Sequence, residues 1–133
     1  MEFEYNKQLP AADEYNQLRE NVGWGVMPVN VIEKSLAKTV YGVSVYRENK
    51  IIGSGRIVGD GGLCFYIQDI MVLKDFQKRG VGSKIVKMLM DYLEENAPIN
   101  SYTTLDFEGT VNIIIKNSWQ NNVIKYNMDK GEQ

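Results

Sequence analysis

The sequence has no histidine, one cysteine and three prolines in 133 residues. Without histidine the chain lacks the side chain most used as a general base near neutral pH, and the commonest metal ligand. The single cysteine, Cys64, excludes an internal disulfide framework, and with no clustered carboxylates beside it a zinc site is not expected. No imidazole stands by to activate Cys64, so it reads as a small buried hydrophobe rather than a nucleophile. An excess of charge of either sign is missing too: 15 Lys and Arg stand against 17 Asp and Glu, a net charge of -2. That balance gives no general attraction to nucleic acid or to an anionic membrane, and any phosphate binding must be local. The first residues lack the basic and apolar regions of a signal peptide, so a cytoplasmic protein is expected. The length sets a single domain over 1–133, able to bury roughly two thirds of its unfolded surface.

What the chain does have is concentrated in Ile67–Leu93. Ile67 to Val72 is an apolar run broken by Asp69 and reads as a strand; Ile85, Val86, Leu89, Met90 and Leu93 recur at helical spacing. Between them, in Gln77-Lys78-Arg79-Gly80-Val81-Gly82, two glycines frame the entry to the helix and leave its first N–H groups uncovered. Those donors, the positive end of the helix dipole and two cations make an anion cradle.

Around this stretch the pattern alternates between classes. Residues 2–6 alternate polar and apolar side chains as a short strand would; Ala12–Asn21 and Val29–Ala37 read as short amphipathic helices. The glycines flanking Trp24 make a loop between them. Val40–Tyr46, Ile51–Gly59 and Leu63–Val72 form a meander of strands, with turns at Arg47–Lys50 and Gly59–Gly62. Ala97-Pro98 stops the long helix, and Ser101–Leu105 follows as a strand made parallel to Leu63–Val72 by a right-handed crossover. Val111–Ile115 stands open between a strand, which its β-branched residues favour, and a short buried helix.

Taken alone, a Gly-x-Gly turn after a strand is often only a tight connection with solvated cations. It is not a P-loop, which needs a lysine and a Ser or Thr after the second glycine, nor a dinucleotide fingerprint, which needs a third glycine. However, Gln77-x-x-Gly80-x-Gly82, between a strand ending Ile70-Met71-Val72 and an amphipathic helix, closely resembles the acetyl-CoA motif of the GNAT N-acetyltransferases. Val22-Gly23-Trp24, Gly55-Arg56-Ile57-Val58-Gly59-Asp60-Gly61-Gly62 and Tyr66-Ile67-Gln68-Asp69-Ile70 extend the resemblance to a small bacterial subfamily, over residues 1–105.

The resemblance implies an α/β fold of the GNAT type, a mixed, mostly antiparallel twisted sheet flanked by helices. It implies acetyl-CoA as cosubstrate, no metal, and direct transfer to an amine of a small molecule or a peptide. The pyrophosphate of coenzyme A is expected on the turn Gln77, Lys78, Arg79, Gly80, Val81, Gly82 and Ser83, and the pantetheine arm beside Ile70, Met71 and Val72. A backbone N–H of Met71 or Val72 is the expected donor to the thioester carbonyl. Asp69, the only carboxylate inside the strand, is the candidate base; its alternative is a solvent-facing side chain or a partner for Arg56. Trp24 is a candidate wall of the acceptor pocket, or else a core plug.

After Leu105 the resemblance fails. The family continues with a short helix, whose tyrosine reprotonates the leaving thiolate, and two closing strands. Here the chain reads Val111-Asn112-Ile113-Ile114-Ile115-Lys116-Asn117-Ser118-Trp119, with no tyrosine, and Tyr102 and Tyr126 are the substitutes left. An AT-rich coding sequence for Asn-Ile-Ile-Ile-Lys-Asn-Ser, read in another frame, can spell Tyr-Tyr-Tyr-Lys-Lys-Phe, close to the family motif; a frameshifted tail over 106–133 is the resulting expectation. Loss of the closing strands would expose the edge of Ser101–Leu105, which points to a homodimer through that edge or through a swapped C-terminal segment.

Overall fold

The computed structural model describes residues 2–107, 110–116 and 123–129. Among them, seven strands lie in one sheet in sequence order: β1 (Glu4–Asn6), β2 (Tyr41–Arg47), β3 (Lys50–Gly59), β4 (Cys64–Val72), β5 (Tyr102–Phe107), β6 (Thr110–Lys116) and β7 (Val123–Asp129). Neighbours pair antiparallel except β4 and β5, which are parallel and joined by the helix α3 (Val81–Asn96). The helices α1 (Ala12–Asn21) and α2 (Val29–Ala37) fall within the limits that amphipathic spacing sets. This is the expected mixed α/β arrangement.

The core forms two clusters. Val43, Val45, Ile57, Phe65 and Ile67 pack against Val81, Ile85, Leu89 and Leu93 of α3. Tyr15, Leu18, Ile32, Ile51 and Met71 form the cluster beneath α1 and α2. Helix α3 lies very close to β3: a Cβ on Gly55 would stand 2.6 Å from Ile85 Cγ2 and 2.8 Å from Ile70 Cδ1. Glycine at 55 is therefore a packing requirement, since any side chain there pushes the helix off the sheet.

Along β4 the side chains change parity. Phe65 and Ile67 belong to the cluster under α3, and the next residues packed against it are Ile70 and Val72, while Met71 lies in the other cluster. The cause is a β-bulge: Ser54 pairs with Met71 and Arg56 with Gln68, so two residues of β4 stand opposite Gly55. One of them, Asp69, has φ +60°, a left-handed conformation that side chains avoid.

The tail differs from expectation in a specific way. Val111–Ile115 lies within β6, paired with β5 from Tyr102–Ile115 to Phe107–Thr110, and β7 covers β6 in turn. The far edge of β5 is thus occupied, and the edge exposure that pointed to dimer formation at Ser101–Leu105 is corrected; among the described residues the outermost strand on this side is β7. The expected sequence of residues Asn117, Ser118 and Trp119 lies outside the described residues.

Candidate active site

The pairing of β4 with β5 is short. It runs from Cys64–Tyr102 to Ile67–Leu105 and then stops, so Gln68–Val72 has no partner in β5. A parallel pair that separates in this way leaves a wedge-shaped gap in the sheet, lined on one side by backbone groups of β4. The orientation of those groups follows from one bond: Leu73 N–H donates to Ile52 O across β3 at 2.9 Å. N–H groups alternate along a strand, so Val72 turns its amide away from β3 and toward the gap, while Met71 turns its amide toward Ser54. Of the two amides expected as alternatives to polarise a bound carbonyl, that of Val72 faces the gap and that of Met71 faces β3. The Val72 carbonyl, on the same side, accepts from Gln77 Nε2 at 2.9 Å.

Beyond the gap, a 3-10 turn at Lys74–Phe76 leads into the glycine turn, an element that the sequence pattern did not signal. Gly80 occupies the N-cap of α3 with φ +83°, and no side chain caps the helix. Glycine at 80 thus serves a left-handed position, and a Cβ there would strain the backbone while meeting nothing within 4 Å. Lys78 also has positive φ, at +64°. Gln77, Lys78, Arg79, Gly80 and Ser83 are exposed, Gly82 is intermediate and Val81 is buried. The Arg79 guanidinium lies 5.5 Å from the Phe76 ring centroid. The turn therefore collects backbone donors and two cations at one end of the gap, as an anion cradle requires.

At the bulge, Asp69 Oδ2 accepts from Arg56 Nε at 3.0 Å and from the hydroxyl of Tyr15. Arg56 is 8% exposed and also donates to Ser35 O at 3.2 Å and Thr39 Oγ1 at 3.0 Å, tying β3, β4 and the end of α2 together. Asp69 Oδ1 has no hydrogen-bond partner among the described residues, yet no buried side-chain oxygen is left unpaired, so Oδ1 reaches solvent. Burial, and secondly the charge of Asp69, push the Tyr15 hydroxyl well above the usual tyrosine range. Sequence reasoning missed Tyr15, because an aromatic on the apolar face of a helix is ordinarily core.

Trp24 is 48% exposed, which rules out the core plug. Its loop is held in shape from α1. Asn16 bonds both Met27 N (3.0 Å) and Met27 O (2.9 Å), while Arg19 donates to Gly25 O at 2.9 Å and lies 5.9 Å from the Trp24 ring centroid. Asn21 Oδ1 accepts from Lys74 N at 2.9 Å, fixing the end of α1 to the end of β4. Cys64 is half-buried rather than buried, with Sγ 3.8 Å from Asp60 Oδ2. Tyr102 is opposite Cys64, seven strand positions and so roughly 20 Å from Met71. Tyr126 shares a row with Ile113, Thr104 and Tyr66, three strands from β4. Among the described residues no group of three or more His, Cys, Asp or Glu is placed to hold a metal ion, and no helix is long and apolar enough to cross a membrane.

Comparison with known proteins agrees with this geometry. Residues 7–112 match the model of the acetyltransferase (GNAT) family. An uncharacterized N-acetyltransferase, ycf52, of Pyropia yezoensis is 28% identical over 94 residues, which are 68% of this chain and 53% of the relative. The chain thus spans about half the length of that relative. A probable acetyltransferase of meticillin-resistant Staphylococcus aureus superposes with a TM-score of 0.74 at 32% identity, covering 80% of each chain. A GNAT family protein of Streptococcus pneumoniae gives 0.66 at 23% identity, over 80% of this chain and 76% of that one, a likeness of fold alone. A parallel pair that opens beside an uncapped, glycine-led helix, in a chain matched over residues 7–112, places this protein in the GNAT acetyltransferase family.

Proposed function

We propose that this chain transfers the acetyl group of acetyl-CoA to an amine of a small molecule or a peptide, by direct attack and without a covalent enzyme intermediate. The observation that carries the reading is the gap beside Gln68–Val72, which opens toward the uncapped N-terminus of α3. Gln77, Lys78, Arg79, Gly80, Val81, Gly82 and Ser83 would hold the pyrophosphate, and Ile70, Met71 and Val72 would flank the pantetheine arm. When bound, acetyl-CoA supplies a thioester whose carbonyl carbon accepts a nucleophile.

The chain's own groups account for the rest. Asp69 Oδ1 takes a proton from the acceptor ammonium. The freed nitrogen lone pair forms the C–N bond, the C–S bond breaks with its electron pair leaving on sulfur, and the second proton that the nitrogen must shed to become an amide passes to the departing thiolate or to water. The Val72 N–H stabilises the charge that develops on the carbonyl oxygen. Trp24 contributes a wall to the acceptor side. Neither Tyr102 nor Tyr126 stands at the gap, and a thiol with pKa of about 8.5 departs as thiolate at neutral pH without a dedicated acid. The proposal includes a cytoplasmic protein that pairs as a homodimer through the outer edge of β7 or an exchanged C-terminal segment.

Thiol release from acetyl-CoA, measured over a panel of amines, tests the reading, with a thermal shift in coenzyme A beside it. A ligand at 100 times its dissociation constant stabilises the fold by about 2.7 kcal/mol. A shift without thiol release would indicate a coenzyme A-binding homologue without transferase activity. No shift at all would sink both.

A further inference from the structure

We propose that Tyr15 is a positioning residue for acetyl transfer: with Arg56 it fixes one oxygen of Asp69, so that the other is presented to the acceptor amine. This rests on Asp69 acting as the base.

Two donors meet the same atom. Arg56 Nε comes from β3 at 3.0 Å and the Tyr15 hydroxyl comes from α1, and both end on Oδ2. One guanidinium already neutralises the carboxylate, so charge balance alone does not require the phenol. Orientation does. A carboxylate held by one donor turns readily about Cβ–Cγ; a second donor, from another element, on the same oxygen raises the cost of that rotation, and Oδ1 is left without a partner among the described residues.

Tyr15 is also costly to place where it is. It is 2% exposed, in a cluster otherwise made of Leu18, Ile32, Ile51 and Met71. Phenylalanine would fill that space without burying a hydroxyl, and a buried hydroxyl is unfavourable unless bonded. The hydroxyl is bonded to Asp69, with the Arg56 guanidinium 6.0 Å from the centroid of its ring. The acceptor of that bond is itself strained, at φ +60° on a bulge, and such backbone strain clusters at sites where a group must be aimed. Among the described residues, the charged and titratable groups bonded to Asp69 are Arg56 from β3 and Tyr15 from α1.

The test is a double-mutant cycle with Tyr15→Phe and Asp69→Asn, read as thiol release from acetyl-CoA with spermidine, tyramine, glucosamine or a peptide with a free N-terminus. Hydrolysis, with water as acceptor, is measured in parallel. Tyr15→Phe keeps the ring in the core, and is expected to lower kcat about tenfold while KM for acetyl-CoA changes less than twofold. In the Asp69→Asn background it is expected to cost nothing further, because a residue acting through another has no effect once that other is gone. Unchanged kcat in Tyr15→Phe, or losses that multiply in the double variant, would overturn the proposal. Full activity in Asp69→Asn would overturn instead the reading of Asp69 as base, and Tyr15 with it. No release from the wild type with any amine or with water would overturn both together with the transferase reading.

Discussion

Lys116 Nζ stands 2.7 Å from the carbonyl oxygen of Ala97, the residue that ends α3. Its remaining protons go to Glu94 O at 2.6 Å and Leu93 O at 3.3 Å, and the residue is 7% exposed. A cation therefore closes the negative end of the same helix whose positive end forms the candidate phosphate cradle. It also joins the divergent tail to the family-like body.

Replacing Lys116 by Met leaves three carbonyls without their donor, and hydrogen bonds involving a charged group are worth about 1.5–3 kcal/mol each at most. The expected loss of stability is about 2–3 kcal/mol, allowing for water reaching some of the freed carbonyls. Urea denaturation monitored by circular dichroism measures it. An unchanged midpoint would show that the tail is not anchored through this lysine.

A second prediction concerns Gly80. Alanine at φ +83° costs about 1 kcal/mol in the backbone, with no steric neighbour to add to it. The turn relaxes to avoid that cost and its N–H groups lose their common direction. Gly80→Ala is expected to weaken coenzyme A binding at least tenfold by calorimetry, a far larger effect than its shift in melting temperature. Equal affinity for the two proteins would show that the turn does not hold the pyrophosphate.

Alkaline pH is the third test. Burial, and then the hydrogen bond to Glu14 at 2.7 Å, push the Tyr46 hydroxyl up to about 12. A free tyrosine loses its proton near 10, so the folded state binds the proton more tightly than the unfolded one. The stability gained is complete below pH of about 10 and is lost as pH rises toward 12. Melting temperatures measured from pH 9 upward should fall across this window, and less steeply in Tyr46→Phe. Parallel curves would refute the assignment.

The tail supplies a fourth prediction. The family match ends at residue 112, inside β6. If a shifted reading frame produced residues 106–133, another frame of the same coding DNA must restore a family-like helix and closing strands. Sequencing decides the matter, since no such frame means the tail is native to the gene.

Most of the fold was legible because it rests on periodicity and turn chemistry. The limits of α1 and α2 follow from Tyr15 and Leu18, and from Val31, Ile32 and Leu36, against their polar neighbours. The glycine turn was legible as a strand-to-helix connection, while its resemblance to a phosphate cradle came from the residues around Gly80 and Gly82 and not from the two glycines alone. The bulge at Asp69 was not. Nothing in Ile67-Gln68-Asp69-Ile70-Met71 announces an extra residue, and the bulge reverses which side each later side chain faces. The direction of the Met71 amide was lost with it. The strand Thr110–Lys116 was ambiguous because isoleucine runs suit a buried helix as well; its pairing with β5, a long-range event, decides it.

The short junction between β4 and β5 has a mechanical consequence. Only the rows from Cys64–Tyr102 to Ile67–Leu105 join β1–β4 to β5–β7 by strand pairing, so the sheet is two leaves on a narrow spine. Lys116 and α3 brace that spine from outside. A ligand lying in the gap and touching both leaves would brace it from within. Resistance of β5–β7 to proteases would then rise with how well the gap is filled.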